Sequence, residues 1–150
     1  MSNYYYSYDT FVSDVKKLIK ETEAFRPDAI LAIARGGLTL AHAYAQATGN
    51  RNLFCINSML YDGEVKRSHA KLINLPELSG HKRVLILDDI VDSGETLKGV
   101  YRVLQERYPD IDFKSAMLYT KQSADLQPDW ALHEAEGWID FFWEKDFMEA

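Results

Sequence analysis

The sequence of 150 residues has a single cysteine, no long apolar run and no excess of basic residues. Cys55 has no partner for an internal disulfide, and its neighbours Phe54 and Ile56 predict a buried thiol in a strand. A membrane-spanning helix needs about 20 consecutive apolar residues, and no stretch approaches that length. The N-terminus also lacks a basic segment followed by an apolar core, so we expect a cytoplasmic protein with no membrane contact.

The formal net charge is −6 at pH 7, which argues against a general nucleic-acid-binding surface. Such a surface depends on a basic face, and the most basic stretch here, Lys66 to Lys71, is short and interrupted. There is no zinc-ligand spacing, and the Gly-Lys-Ser/Thr of a Walker A loop is also missing. The hydrophobic share of 47% and the charged share of 27% are typical of a folded domain. We expect one domain over residues 1–150.

The most informative stretch runs from Arg83 to Thr96. Its apolar residues 84–87 are bounded by charge on both sides, which predicts a strand buried on both faces of a parallel sheet. Two acids end this strand, and a loop then leads into a helical pattern; the polar residues are Asp88, Asp89, Asp92, Ser93, Gly94, Glu95 and Thr96. Free amides at a helix N-terminus bind phosphate, while carboxylates bind sugar hydroxyls or a hard cation. The stretch therefore predicts a sugar-phosphate site, and the alternative is a helix-capping segment with two solvated acids.

A second anion site is predicted at the end of another strand, residues 29–34. There Arg35, Gly36 and Gly37 precede a helical stretch that closes at Gly49. Two glycines expose backbone amides, and the arginine fork matches phosphate oxygens, although a simple tight turn is the alternative. Further strands are expected at 52–59 and 112–119. One further helix is expected from a cap at Asp9 or Thr10, through apolar positions within 11–19, to a stop at Pro27, and another at 96–108. The pattern predicts an α/β fold with a central, mostly parallel sheet flanked by helices.

The run from Val84 to Thr96 resembles the phosphoribosyl pyrophosphate (PRPP) binding motif of type I phosphoribosyltransferases. The resemblance implies that Asp88 and Asp89 hold the ribose hydroxyls and that Asp89 contacts a bridging Mg²⁺. The loop of Asp92, Ser93, Gly94, Glu95 and Thr96 would bind the 5′-phosphate. Arg35, Gly36 and Gly37 would receive the pyrophosphate, and in such enzymes the peptide that corresponds to Ala34–Arg35 is often cis. The family also has a small hood, which here would comprise a flexible flap at about 61–80 and the tail at about 122–150.

The tail Trp138-Ile139-Asp140-Phe141-Phe142-Trp143-Glu144 resembles that of bacterial xanthine-guanine phosphoribosyltransferases. By this resemblance Trp138 stacks on a purine, and the backbone around Ile139 reads its far edge. Lys121, at the end of the 112–119 strand, donates to the oxygen on carbon 6. Phe142 replaces a proline that is common before the second tryptophan, and Asp140 contacts either the metal or only water.

The implied activity transfers the phosphoribosyl group from PRPP to a 6-oxopurine, with Mg²⁺ as cofactor and Asp92 as the general base for the purine proton. Two alternatives stay open: a non-catalytic PRPP-sensing module, and an enzyme for another nitrogen base. Also open is which flap residue contacts pyrophosphate, with Lys66, Arg67 and Lys71 as candidates. The resemblance implies a homo-oligomer, a dimer or tetramer. The tyrosine-rich N-terminus is equally compatible with an edge strand or a dimer contact.

Overall fold

The computed structural model describes residues 3–59 and 71–148. The strands are β1 (Asn3–Tyr6), β2 (Ala29–Ala34), β3 (Leu53–Met59), β4 (Lys71–Ile73), β5 (Arg83–Val91), β6 (Asp112–Thr120), β7 (Trp130–Glu134) and β8 (Trp138–Phe141). The α-helices are α1 (Tyr8–Thr22), α2 (Leu38–Thr48), α3 (Glu95–Arg107) and α4 (Phe142–Lys145). None of the helices in these two ranges has the length and apolar character that a membrane crossing requires.

The main sheet has six strands in the order β4-β3-β2-β5-β6-β7. All its pairs are parallel except β3 with β4, so the predicted mostly parallel sheet is confirmed. The central strand β5 extends beyond the apolar run, because Ile90 and Val91 still pair with Tyr119 and Thr120 of β6. Asp88 and Asp89 therefore lie within the strand, near its carboxyl end, rather than after it.

Helices cover both faces of this sheet, as the sequence predicts. Alternate residues of the fully buried strand β2 point to opposite sides: Ile30 packs in the core that contains α1 and α2, and Leu31 packs in the core that contains α3. Helix α1 is capped by Ser7, whose hydroxyl accepts the amide of Thr10 at 3.1 Å. The expected cap at Asp9 or Thr10 is therefore wrong, and the helix begins earlier than its apolar periodicity indicated.

The prediction that Cys55 is a buried thiol is also wrong. Its neighbour Ile56 is buried, and Phe54 packs against the same core. Because side chains alternate along a strand, Leu53, Cys55 and Met59 lie on the opposite face, where all three are exposed. Flanking apolar residues identified the strand correctly but did not reveal that one of its faces is open.

A second, two-stranded sheet forms the hood. The N-terminal strand β1 pairs in parallel with β8, which places Asn3 opposite Trp138 and Tyr6 opposite Phe141. The N-terminus is thus a strand, which the sequence had left open. Strand β7 was not predicted, since its residues are mostly half-buried and show no clear alternation. Of the expected flap, residues 60–70, with Lys66 and Arg67, lie outside the described residues, and Lys71 begins β4.

Tyr6 connects the hood to the core. Its side chain is fully buried, and its hydroxyl donates to Asp14 of α1 at 2.6 Å. The same carboxylate oxygen lies 2.8 Å from Nε2 of His133 in β7. Burial and the bond to Asp14 raise the pKa of Tyr6, so the phenol stays protonated as a donor. The hood strand, the first helix and the sheet edge therefore meet at one buried carboxylate.

We expect Tyr6→Phe to lower the free energy of unfolding by about 1.5–3 kcal/mol, because the lost hydrogen bond goes to a buried charged group. Urea unfolding at pH 7 measures the change. Tyr5→Phe is the matched control, since the Tyr5 hydroxyl bonds Asp146 at 3.0 Å on the exposed side of the same strand. Its unfolding midpoint should equal that of the wild type. Equal stabilities of Tyr6→Phe and Tyr5→Phe would show that Asp14 does not hold the hood.

Candidate active site

Two adjacent acids at the carboxyl end of β5 form the centre of the candidate site. Asp88 accepts the backbone amide of Asp89 at 2.8 Å, and Asp89 is buried. Burial raises the pKa of Asp89 to about 6, and the nearby Glu144 adds to the shift. Burial and the charge of Asp89 raise the pKa of Asp88 well above its usual value. The pair therefore tends to hold a proton until an opposite charge arrives.

The Arg35–Gly37 loop packs directly against these acids. The Ala34–Arg35 peptide is cis, which confirms the expectation for this bond. A Cβ at Gly36 would lie 2.5 Å from a carboxylate oxygen of Asp89, and one at Gly37 would collide with the carbonyl of Leu87. Glycine is therefore required at both positions because the loop approaches β5 too closely for side chains. The second predicted anion-binding segment is therefore adjacent to the acid pair.

The phosphate loop precedes α3. Gly94 has a φ of +95° and caps the helix, and the Ser93 hydroxyl accepts the amide of Glu95 at 3.2 Å. A Cβ at Gly94 would lie 2.8 Å from the amide nitrogen of Leu126, so this glycine serves both the backbone conformation and a close contact. The loop leaves Asp92 and Ser93 exposed at the N-terminus of a 13-residue helix, where amides attract anions.

Lys121 and Asp92, predicted from separate parts of the sequence, are in direct contact. Lys121 Nζ lies 2.9 Å from Asp92 Oδ1. The Lys121 amide donates to the carbonyl of Val91 at 3.0 Å, which places the residue at the end of β5 as well as at the end of β6. The ion pair is partly exposed, so a bound molecule can reach both side chains.

These residues line a cavity of about 160 Å³. Its wall includes Asp89, Asp92, Lys121, Trp138, Ile139 and Glu144. Trp138 is 64% exposed and offers a flat face, whereas Ile139 is buried and fixes the backbone of β8. A larger cavity of about 620 Å³ adjoins it and is lined by Arg35, Gly36 and Asp140. Trp138 and Glu144 line both cavities, so the two are neighbours on either side of these side chains.

Glu144 was missed as a site residue. It raises the pKa of Asp89 through its charge, and its own pKa is raised by burial and by Asp140 but lowered by the nearby Arg35. The signal was present in the sequence, since this acid follows Trp143 directly within the aromatic tail. Asp140, by contrast, accepts a hydrogen bond from Asn3 at 3.2 Å, which ties it to β1.

The acid pair has the donor chemistry for a hard divalent cation, which prefers carboxylate oxygens. Within residues 3–59 and 71–148, no group of three His, Cys, Asp or Glu side chains is arranged to hold a metal ion. A cation here would thus need oxygens from a bound ligand in addition to the carboxylates. This fits an ion that arrives with a sugar phosphate rather than one held by the protein alone.

Solved structures share this arrangement of strands and helices over nearly the whole chain. The xanthine-guanine-hypoxanthine phosphoribosyltransferase of Helicobacter pylori is 39% identical, with a TM-score of 0.91 over 97% of this chain and 96% of that one. A purine phosphoribosyltransferase from Pyrococcus horikoshii is 28% identical, with a TM-score of 0.83 over 97% and 95% of the two chains.

Sequence comparison agrees with the structural match. The xanthine-guanine phosphoribosyltransferase of Roseobacter denitrificans is 28% identical over 94% of this chain and 85% of that protein. The model of the phosphoribosyl transferase domain matches residues 5–146, from within the hood strand β1 to just beyond the helix α4. The chain therefore belongs to the phosphoribosyl transferase domain family.

Proposed function

We propose that this protein is a purine-salvage enzyme that transfers the phosphoribosyl group from PRPP to a 6-oxopurine, giving a nucleoside 5′-monophosphate and pyrophosphate. The observation that carries the proposal is the 2.9 Å contact between Lys121 and Asp92 in a cavity that Trp138 and Asp89 also line. A cationic donor, an acid, an aromatic platform and a sugar-binding carboxylate surround one small space. A regulator that only binds PRPP has no need for the base-binding half of this set.

The purine ring stacks on Trp138, and its C6 oxygen accepts a hydrogen bond from Lys121. An amino group at that position would place a donor against the ammonium, which disfavours adenine. The backbone around Ile139 contacts the opposite edge of the base. Guanine, xanthine and hypoxanthine share the C6 oxygen, so all three are substrates by this criterion.

The sugar phosphate lies between the acid pair of β5 and two loops. The 5′-phosphate binds the loop of Asp92, Ser93, Gly94, Glu95 and Thr96, the ribose hydroxyls contact Asp88 and Asp89, and the pyrophosphate contacts Arg35, Gly36 and Gly37. Asp89 would hold a bound Mg²⁺, which would supply positive charge to offset the negative charge of the pyrophosphate and of the acid pair.

Asp92 accepts the proton that the purine nitrogen loses as its bond to the sugar forms. The anomeric carbon develops oxocarbenium character when pyrophosphate leaves, so catalysis comes from positioning the three groups and from excluding water. Before the base binds, Lys121 Nζ lies 2.9 Å from Asp92 Oδ1.

The same proposal covers the setting of the enzyme. We infer a single catalytic domain over residues 1–150 that works in the cytoplasm as a homo-oligomer. Leu53, Cys55 and Met59 form an exposed, uncharged strip on β3 that suits contact with a second copy. Mg²⁺, PRPP and the purine base are the small-molecule partners.

Incubation with Mg²⁺, PRPP and each of guanine, xanthine, hypoxanthine, adenine, uracil and orotate tests the activity. We expect pyrophosphate release with the three 6-oxopurines only. Lys121→Ala should lower the preference for guanine over adenine by about tenfold or more, because a charged hydrogen bond is lost. Lys82→Ala, an exposed lysine away from the cavity, is the control. If none of the six bases is turned over, the PRPP-sensing alternative is supported. An unchanged base preference in Lys121→Ala would show that Lys121 does not read the base.

Asp92→Asn should lower kcat by about 10²–10⁴-fold, the usual contribution of a general base. Asparagine cannot accept the purine proton, but the loop amides still bind the phosphate, so the Kd of PRPP should change little. Asp110→Asn, an exposed acid beyond α3, controls for the change in net charge. Steady-state kinetics and PRPP titration separate the two effects. Wild-type turnover in Asp92→Asn would assign the proton to another group.

Asp89→Asn should stabilise the ligand-free protein at neutral pH. In the folded state the pKa of Asp89 is about 6, whereas in the unfolded chain it has its usual, lower value. The free energy of unfolding therefore falls as the pH rises from the unfolded pKa to the folded pKa. Asparagine does not ionise, so the variant avoids this loss in the free energy of unfolding. The loss is on the order of 1–3 kcal/mol at pH 7.5 and vanishes near pH 4.

Urea unfolding at both pH values measures the difference between Asp89→Asn and the wild type. Mg²⁺ with PRPP should raise the melting temperature of the wild type far more than that of the variant, because the carboxylate is needed for the cation. A variant that is less stable than the wild type at pH 7.5 would contradict this account of the acid pair.

A further inference from the structure

The β6–β7 loop, residues 121–129, is fixed to the phosphate loop. The amide of Lys121 donates to Val91, and the amide of Asp125 donates to Ser93 at 2.9 Å. Both bonds join main chain to main chain, so they do not depend on flexible side chains. The segment that carries the base-reading lysine and the segment that binds the 5′-phosphate therefore move as one unit.

One side chain bridges the Thr120 hydroxyl and the Lys121 carbonyl. The buried Thr120 hydroxyl donates to Oε1 of Gln127 at 2.8 Å, and Nε2 of Gln127 donates to the carbonyl of Lys121 at 2.8 Å. The same carbonyl accepts the amide of Ala124 at 3.1 Å. Gln127 thus connects the last residue of β6 to the carbonyl that follows it and fixes the direction in which the lysine side chain leaves the chain.

The amide group is suited to this task because it accepts and donates at once. Leucine of similar size does neither, and glutamate accepts from Thr120 but cannot donate to the Lys121 carbonyl. Pro128 restricts Gln127 to an extended backbone, which reduces the entropy lost when the side chain is held.

The ion pair with Asp92 does not hold Lys121 by itself. The side chain of Asp92 is 71% exposed and that of Lys121 is 36% exposed, and ion pairs of this kind contribute little. The direction of the lysine therefore depends on its backbone, and the backbone depends on Val91 at its amide and on Gln127 and Ala124 at its carbonyl.

We propose that Gln127 is a positioning residue for base recognition. By fixing the Lys121 carbonyl it directs the ammonium to the C6 oxygen of the purine, and it thereby sets part of the preference for 6-oxopurines. This inference rests on the proposed role of Lys121 in reading the base. Gln127 itself does not touch the substrate.

The test uses the full chain with Gln127→Leu. The KM for guanine should rise about tenfold, the equivalent of about one hydrogen bond, while kcat and the KM of PRPP stay within about twofold. The ratio of kcat/KM between guanine and adenine should fall. Gln127→Glu, nearly identical in shape, should shift the KM for guanine in the same direction and covers the case in which the leucine variant folds poorly.

Gln122→Leu is the matched control. Gln122 lies in the same loop and donates to Glu134 at 2.7 Å, away from the Lys121 carbonyl. Its loss should leave the KM for guanine and the base preference unchanged. If Gln127→Leu instead lowers kcat, raises both KM values and lowers the melting temperature together, the residue is only structural and the proposal is overturned.

A double variant separates this inference from the proposed function. If Gln127 acts through Lys121, then Gln127→Leu should add nothing to the base-preference defect of Lys121→Ala. A further loss in the double variant would overturn the proposal. If Lys121→Ala changes the preference and Gln127→Leu does not, only the role of Gln127 fails. If Lys121→Ala leaves the preference unchanged, the base-reading function and this inference both fail.

Discussion

Two adjacent carboxylates near the carboxyl end of a central strand repel each other, and burial weakens the solvation that would otherwise offset the repulsion. Asp88 and Asp89 are in this position, with Glu144 adding a third negative charge nearby. The glycines of the Arg35–Gly37 loop let that loop approach the pair, and the aromatic hood covers it. The neighbouring segments thus surround a site whose electrostatic energy improves when a cation and a polyhydroxy ligand bind.

The acid pair, proposed to hold the cation, and Lys121, proposed to read the base, are joined by main chain. The carbonyl of Val91, at the end of the acid-bearing strand, receives the amide of Lys121. Parallel neighbours in a sheet present their carboxyl ends at the same edge, so β5 and β6 deliver an acid pair and a lysine to one place. A purine and a ribose that bind there are held at a distance defined by the sheet rather than by loops alone.

Prediction from the sequence succeeded where local pattern and tertiary role coincide. Strand β2 matches its expected bounds, because six consecutive apolar residues are all buried when they form an interior strand of a parallel sheet with both faces covered. The pattern failed at Cys55, where the residue type was right for a strand but the face of the strand is open. It also missed β7 and Glu144, whose significance depends on what they contact, and no period in the sequence encodes those contacts.

The sequence by itself determined the polar loop before α3, the acid pair and the Gly36-Gly37 turn, since each is a contiguous run whose properties follow from its residue types. Only the tertiary structure decided that Lys121 meets Asp92, that Gln127 holds the Lys121 carbonyl and that β1 completes the hood against β8. Lys121 with Asp92 and β1 with β8 are contacts between segments that other elements separate in the sequence. The contact of Gln127 with Lys121 depends on how the β6–β7 loop is packed. Their partners are chosen by the packing of the whole sheet, a long-range property that local residue patterns do not specify.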